Sequence, residues 1–94
     1  MVRNYEALYV LDAQLEEQAI KDLVEKFNNL ISTSAELKNT EEWGKRKLAY
    51  KINKMSEGYY VLTEFSADPT FPQELERIFK ITDGVIRYLI VKKD

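Results

Sequence analysis

Apolar residues recur along this chain with two different spacings, and each change of spacing marks a boundary between elements. Asn4-Tyr5-Glu6-Ala7-Leu8-Tyr9-Val10-Leu11 is dense in aromatic and aliphatic residues and free of glycine and proline. It reads as a strand buried on both faces. From Leu15 to Ile31 the spacing becomes helical: Leu15, Ala19, Leu23, Phe27, Leu30 and Ile31 share one stripe. Glu16, Glu17, Asp22, Glu25 and Lys26 fall largely on the other side, with the acidic residues toward the positive N-terminal end. Ala35–Ile52 is mostly polar, with scattered Leu37, Trp43, Leu48, Tyr50 and Ile52. It is expected to be a long exposed edge strand, interrupted near Gly44 by a bulge. Asn53–Gly58 supplies a turn, and Tyr59–Phe65 a clear strand. Asp68-Pro69-Thr70 breaks that strand. Thr70 and Gln73 have the spacing of a capping box, opening a helix with Leu75, Ile78 and Phe79 on its buried side. Gly84 ends this helix, and Val85–Val91 forms a last strand before Lys92-Lys93-Asp94.

The order β-α-β-β-α-β, without repeat, linker or low-complexity segment, predicts one domain over residues 1–94. Right-handed crossovers fold it into an α+β, ferredoxin-like arrangement: a four-stranded antiparallel sheet with both helices on one face. The first and third strands are the most apolar, which suits the central positions of that sheet.

Helices that cover one face leave the other to something else. The alternation places Val61, Thr63, Phe65, Tyr88 and Ile90 toward the helices. The open face then carries Leu8, Val10, Tyr60, Leu62, Leu89 and Val91, with Glu6, Glu64 and Arg87 among them. A solvated face is mostly polar; this one is apolar enough to predict a protein partner there. Scattered exposed apolar residues with the opposite phase would be the plainer explanation.

Composition narrows the chemistry. Cysteine and histidine are both absent, which removes disulfides, thiol nucleophiles, Ser-His-Asp catalysis and the usual zinc ligand sets. No metal or cofactor is expected. No apolar run approaches the ~20 residues of a membrane span and no signal peptide precedes the first charges, so the expected address is the cytoplasm. Lys and Arg number 14 against 16 acidic residues, a net charge of -2. Indiscriminate coating of nucleic acid normally needs a strongly basic protein, so any such contact here is local. Lys45, Arg46, Lys47, Lys51 and Lys54 put five of the 14 basic residues within ten positions around the second strand and its turn. Such a cluster can hold phosphates, although lysines on an edge strand also serve to block aggregation. Arg3, Arg87, Lys92 and Lys93 are expected to form another group, because antiparallel pairing brings the start of the first strand near the end of the last. Gly58–Phe65 has some likeness to the aromatic third strand of an RNA-recognition motif. Tyr60 is followed two places on by Leu62, and Tyr59 by Val61, so no aromatic platform is expected along that strand.

With these residues in order, the chain resembles the bacterial small-subunit ribosomal protein six family over nearly its whole length. The marks are Arg3-Asn4-Tyr5-Glu6, Trp43-Gly44-Lys45-Arg46-Lys47-Leu48-Ala49-Tyr50-Lys51-Ile52, Gly58-Tyr59-Tyr60, and Asp83-Gly84-Val85-Ile86-Arg87 through Val91-Lys92. The resemblance implies a structural role in the small ribosomal subunit. It also implies joint binding of small-subunit ribosomal RNA with ribosomal protein eighteen. Arg3, Lys45, Arg46, Lys47, Arg87 and Lys92 are the candidate RNA contacts. Many relatives have proline where this chain has Lys51, and some have a second arginine where it has Ile86, which leaves Arg87 without that pair. A ferredoxin-like small-molecule regulatory module is the alternative, but no glycine-rich phosphate loop or ligand cluster supports it. An acylphosphatase-like enzyme needs an arginine-bearing anion loop after the first strand, where this chain reads Leu11-Asp12-Ala13-Gln14-Leu15.

Overall fold

The computed structural model describes residues 1–52 and 55–93. The chain runs β1 (Arg3–Asp12), α1 (Glu17–Ser34), β2 (Glu36–Ile52), β3 (Met55–Ala67), α2 (Phe71–Ile81) and β4 (Val85–Lys92). The strands form one antiparallel sheet in the order β2-β3-β1-β4. The two most apolar strands are central, as their composition requires.

One parity of β1, β3 and β4 builds the core. Tyr5, Ala7, Tyr9 and Leu11 of β1 and Val61 and Phe65 of β3 pack against Ile20, Val24, Phe27 and Ile31 of α1 and Phe71, Leu75 and Phe79 of α2, with Tyr88 and Ile90 of β4 alongside. Both helices therefore lie on the same face. At its centre Tyr9, Phe27 and Phe79 meet pairwise with ring centroids 4.8–5.1 Å apart. Each such aromatic pair adds about 0.5–1.5 kcal/mol beyond the area it buries. The first strand is not buried on both faces: Glu6 and Leu8 of the opposite parity are only half-buried.

Other expectations shift in detail. The buried stripe of α1 is centred on Ile20, Val24, Phe27 and Ile31. Leu15 precedes the helix and, with Leu23 and Leu30, packs at the margin of the core. The capping box at Thr70 does not form. Asp68 takes over, its Oδ1 accepting from the Thr70 N–H at 3.0 Å and the Thr70 hydroxyl at 2.9 Å. Thr70 itself is already helical in backbone angle, and its side chain caps nothing. The Asp68 carboxylate takes the Thr70 N–H that Gln73 would accept in a capping box and also engages the Thr70 hydroxyl, a charged acceptor making the stronger hydrogen bond.

The hairpin between β2 and β3 is longer than the expected turn allows. Met55–Gly58 belong to β3, with Arg46 paired to Gly58 and Lys47 to Glu57. Asn53 and Lys54 of the expected turn lie outside the described residues. The bulge at Gly44 is present. Glu42 pairs with Val61 and Gly44 with Tyr60, so Trp43 is the extra residue, and Gly44 has φ +83°. Glycine is the residue that reaches this conformation without steric cost.

Candidate functional site

Register turns the open face into three rows across β3, β1 and β4. Leu62, Leu8 and Leu89 are partners in one row, Tyr60, Val10 and Arg87 in the next, and Glu64, Glu6 and Val91 in the third. Leu89 and Val91 are 58% and 45% exposed, and Leu8, Leu62 and Tyr60 half-buried. The apolar row is thus bounded by two unlike edges. On one side Lys93 reaches the carboxylates of Glu64 at 3.3 Å and Glu6 at 3.7 Å. On the other a shallow depression of about 200 Å³ is lined by Leu8, Val10, Tyr60, Arg87 and Leu89.

Val10 departs from the expected partner-facing set. It is only 3% exposed and forms the floor of that depression rather than its rim. The cause is Gly58 beside it. A Cβ on Gly58 would stand 2.2 Å from Val10 Cγ1, 3.3 Å from Leu48 Cδ2 and 3.6 Å from Ile86 Cδ1. The missing side chain lets the hairpin close over Val10, bringing Leu48 of β2 and Ile86 of β4 to the same spot.

Arg87 and Tyr50 extend that closure. The Arg87 guanidinium donates to the Tyr50 hydroxyl at 2.8 Å and lies 5.6 Å from the Tyr50 ring centroid. The outer part of β2 therefore crosses toward β4 over the end of the open face. This corrects the expected second basic group. Arg87 is opposite Val10, whereas Lys92 is opposite Tyr5, on the other face and five residues further along, about 16 Å at the rise of a strand. Arg3 shares that far end with Lys92, since Lys92 pairs with Tyr5 and Arg3 is two residues back on β1. Lys93, between two carboxylates, belongs to neither.

The cations in the second half of β2 are different in kind. Lys21, Lys38, Arg77, Lys80 and Lys93 each have a carboxylate within 4.0 Å. Lys45, Arg46, Lys47 and Lys51 are exposed and have no such partner among the described residues. Arg3 and Lys92 likewise have none there. Lys45 shares the helix side of the sheet with Glu42, Tyr59 and Lys21 around a groove at the start of α1. Glu42 there is occupied by the Tyr59 hydroxyl, which donates to it at 2.8 Å. Burial first, and this bond second, push the Tyr59 hydroxyl above the ordinary tyrosine pKa.

Arg46 points to the other face, its guanidinium 5.6 Å from the Trp43 ring. Trp43 in turn lies nearly parallel to Tyr60, at 10° and 6.3 Å between centroids. An aromatic pair therefore exists on the open face after all. It forms across two strands instead of along one, which single-strand alternation cannot reveal. The bulge that inserts Trp43 is what aligns it with Tyr60.

Comparison with known proteins gives a consistent picture. Residues 4–92 match the family model described as ribosomal protein S6. The small ribosomal subunit protein bS6 of Thermoanaerobacter pseudethanolicus is 54% identical, covering 99% of this chain and 99% of its own. That of Clostridium novyi is 50% identical with the same coverage. The crystal structure of 30S ribosomal protein S6 from Thermotoga maritima superposes with a TM-score of 0.93 at 29% identity, covering 99% of this chain and 89% of that one.

Proposed function

This chain belongs to the ribosomal protein S6 family of the small ribosomal subunit, and from that premise we propose that it binds small-subunit ribosomal RNA jointly with ribosomal protein eighteen, which docks on the open sheet face. The observation that carries the reading is the uncovered row Leu62–Leu8–Leu89, beside the second half of β2, where Lys45, Arg46, Lys47 and Lys51 have no carboxylate partner among the described residues. An apolar row of this kind gains free energy by burial under a second protein, roughly 25 cal/mol per Å² removed from water. Free lysines and arginines at its edge meet phosphates, which position the complex and carry little sequence information. Neither part suffices alone. The net charge of -2 gives weak general attraction to RNA, so the partner supplies shape while β2 supplies local charge. Lys45, Arg46 and Lys47 are the principal RNA contacts in this reading. Arg3 and Lys92 are subsidiary contacts at the far end, and Arg87 becomes available once it leaves Tyr50.

The test separates the two halves. Leu62→Asp should fold, fail to bind ribosomal protein eighteen and, as a consequence, fail to be recruited to ribosomal RNA. Replacing Lys45, Arg46 and Lys47 together with alanine should leave the protein pair intact. It should reduce the slope of log K against log salt for RNA binding by about 2–3, since each lost phosphate contact removes roughly 0.7–0.9. An unchanged slope assigns those cations to edge protection alone. Normal pairing by a folded Leu62→Asp variant removes the open face as the interface.

A further inference from the structure

We propose that Trp43, Tyr60 and Arg46 form a stacking site for an unpaired RNA base, so that the cationic strand contacts bases as well as phosphates. This rests on the RNA-binding reading above and deepens it. Three observations converge on the indole. Its orientation is fixed: Nε1 donates to Glu41 Oε2 at 3.2 Å, and the ring lies parallel to Tyr60 within 10°. It is nevertheless 40% exposed, although the fold offers a packed interior for large aromatics and fills it with Tyr9, Phe27, Phe65 and Phe79. And it stands two residues before the run of unpartnered cations, with the Arg46 guanidinium 5.6 Å from its ring and Lys45 and Lys47 on either side of Arg46.

A held, partly exposed ring among free cations is the combination that binds single-stranded nucleic acid. Phosphates are attracted to the cations, and a base stacks on the aromatic surface whatever its identity, because every base has a π-face. Arg46 serves both parts: its plane stacks and its charge meets the backbone. The bulge at Gly44 has a purpose in this arrangement, because without the extra residue Trp43 would not stand beside Tyr60. A purely structural cross-strand pair would stabilise the hairpin and have no effect on nucleobases.

Trp43 is the single tryptophan of the chain, so its fluorescence reports on this site directly. The probes are hexa-adenylate and a backbone of the same length with its bases removed, each dye-labelled for anisotropy. The wild type should bind hexa-adenylate about 5- to 100-fold more tightly than the abasic chain, with quenching of Trp43. Trp43→Leu should abolish this preference while keeping its fold and its salt slope, because no cation has been removed. Trp43→Phe should restore part of it. Equal binding of both probes by the wild type, or binding of neither up to millimolar concentration, overturns the proposal. So does a Trp43→Leu variant that keeps the preference, or one whose main loss is the protein partner. The wider reading fails separately, when the Lys45, Arg46 and Lys47 triple variant leaves the salt dependence on ribosomal RNA unchanged.

Discussion

The two faces of the sheet are built from the same strands and nearly the same residue types, yet they behave as different materials. On the helix side Tyr9, Val61 and Phe65 are at most 1% exposed and packed into the core that both helices cover. On the other side, one residue along in each strand, Leu8 and Leu62 are half-buried and Leu89 is 58% exposed. Hydrophobicity alone does not distinguish the sets; the covering elements do. Apolar residues under helices stabilise the domain itself. Apolar residues with no cover have their effect when another molecule arrives.

A charge placed on each face breaks the comparison most sharply. Phe65→Asp buries a carboxylate in a site without a partner. That should cost about 4–5 kcal/mol or more, comparable to the whole stability of a small domain. Urea titration should find it largely unfolded at 25 °C. Leu62→Asp, three residues earlier on the same strand, is half-buried on the open face, where its carboxylate still reaches water, and should cost no more than about 1–2 kcal/mol. The face matters more than the strand. Comparable destabilisation by both would show that the open face is structurally closed.

The next effect tests where the open face ends. Gly58→Ala drives a methyl into Val10, which is buried and stiff at χ1, so Leu48 and Ile86 must move with it. Overpacking of this kind costs about 1–3 kcal/mol. Gly44→Ala meets nothing within 4 Å and suffers only from its positive φ, about 1–2 kcal/mol for a side chain in left-handed conformation. Hydrogen exchange sharpens the contrast. Loss of protection around Arg87 and Leu48 is expected for Gly58→Ala, while Gly44→Ala should disturb Trp43 and Tyr60.

These cases also show how far the sequence could be read. Parity along β1 and β3 was enough to say which residues face the helices, because alternation is a local property of a strand. The open face was legible as a surface for the same reason. Val10 was not legible as its floor, since its burial depends on a glycine 48 positions away and on the path of a hairpin. The Trp43–Tyr60 pair was hidden too. It joins two strands whose register changes at a bulge, and a one-residue change of register reassigns every neighbour. The apparent capping box failed for a still more local reason, competition from the nearby Asp68 carboxylate.

The smallest effect returns to the covered face. The hydroxyls of Tyr9 and Thr63 are buried there and neither has a hydrogen bond of good geometry among the described residues. Burial, aided by the charge of Glu42, pushes the Tyr9 pKa well above its ordinary value, and the nearby Thr63 hydroxyl offsets only part of this. The folded protein therefore holds the Tyr9 proton where the unfolded chain has released it. A raised pKa contributes stability that is fully present below the unfolded value of 10.0 and is lost as pH climbs from there toward the folded value. For one proton the loss is about 1.4 kcal/mol per pH unit once the unfolded tyrosine is ionised. Lysines titrate in the same range, so the comparison is between the wild type and Tyr9→Phe. At pH 7 the variant should match the wild type or exceed it slightly, because it removes a buried hydroxyl with no well-formed hydrogen bond among the described residues. Above pH 10 its stability should fall less steeply. Parallel decline of the two proteins in urea titrations at pH 9, 10 and 11 would mean that the Tyr9 hydroxyl reaches water, and that the covered face is less tightly closed than its packing shows.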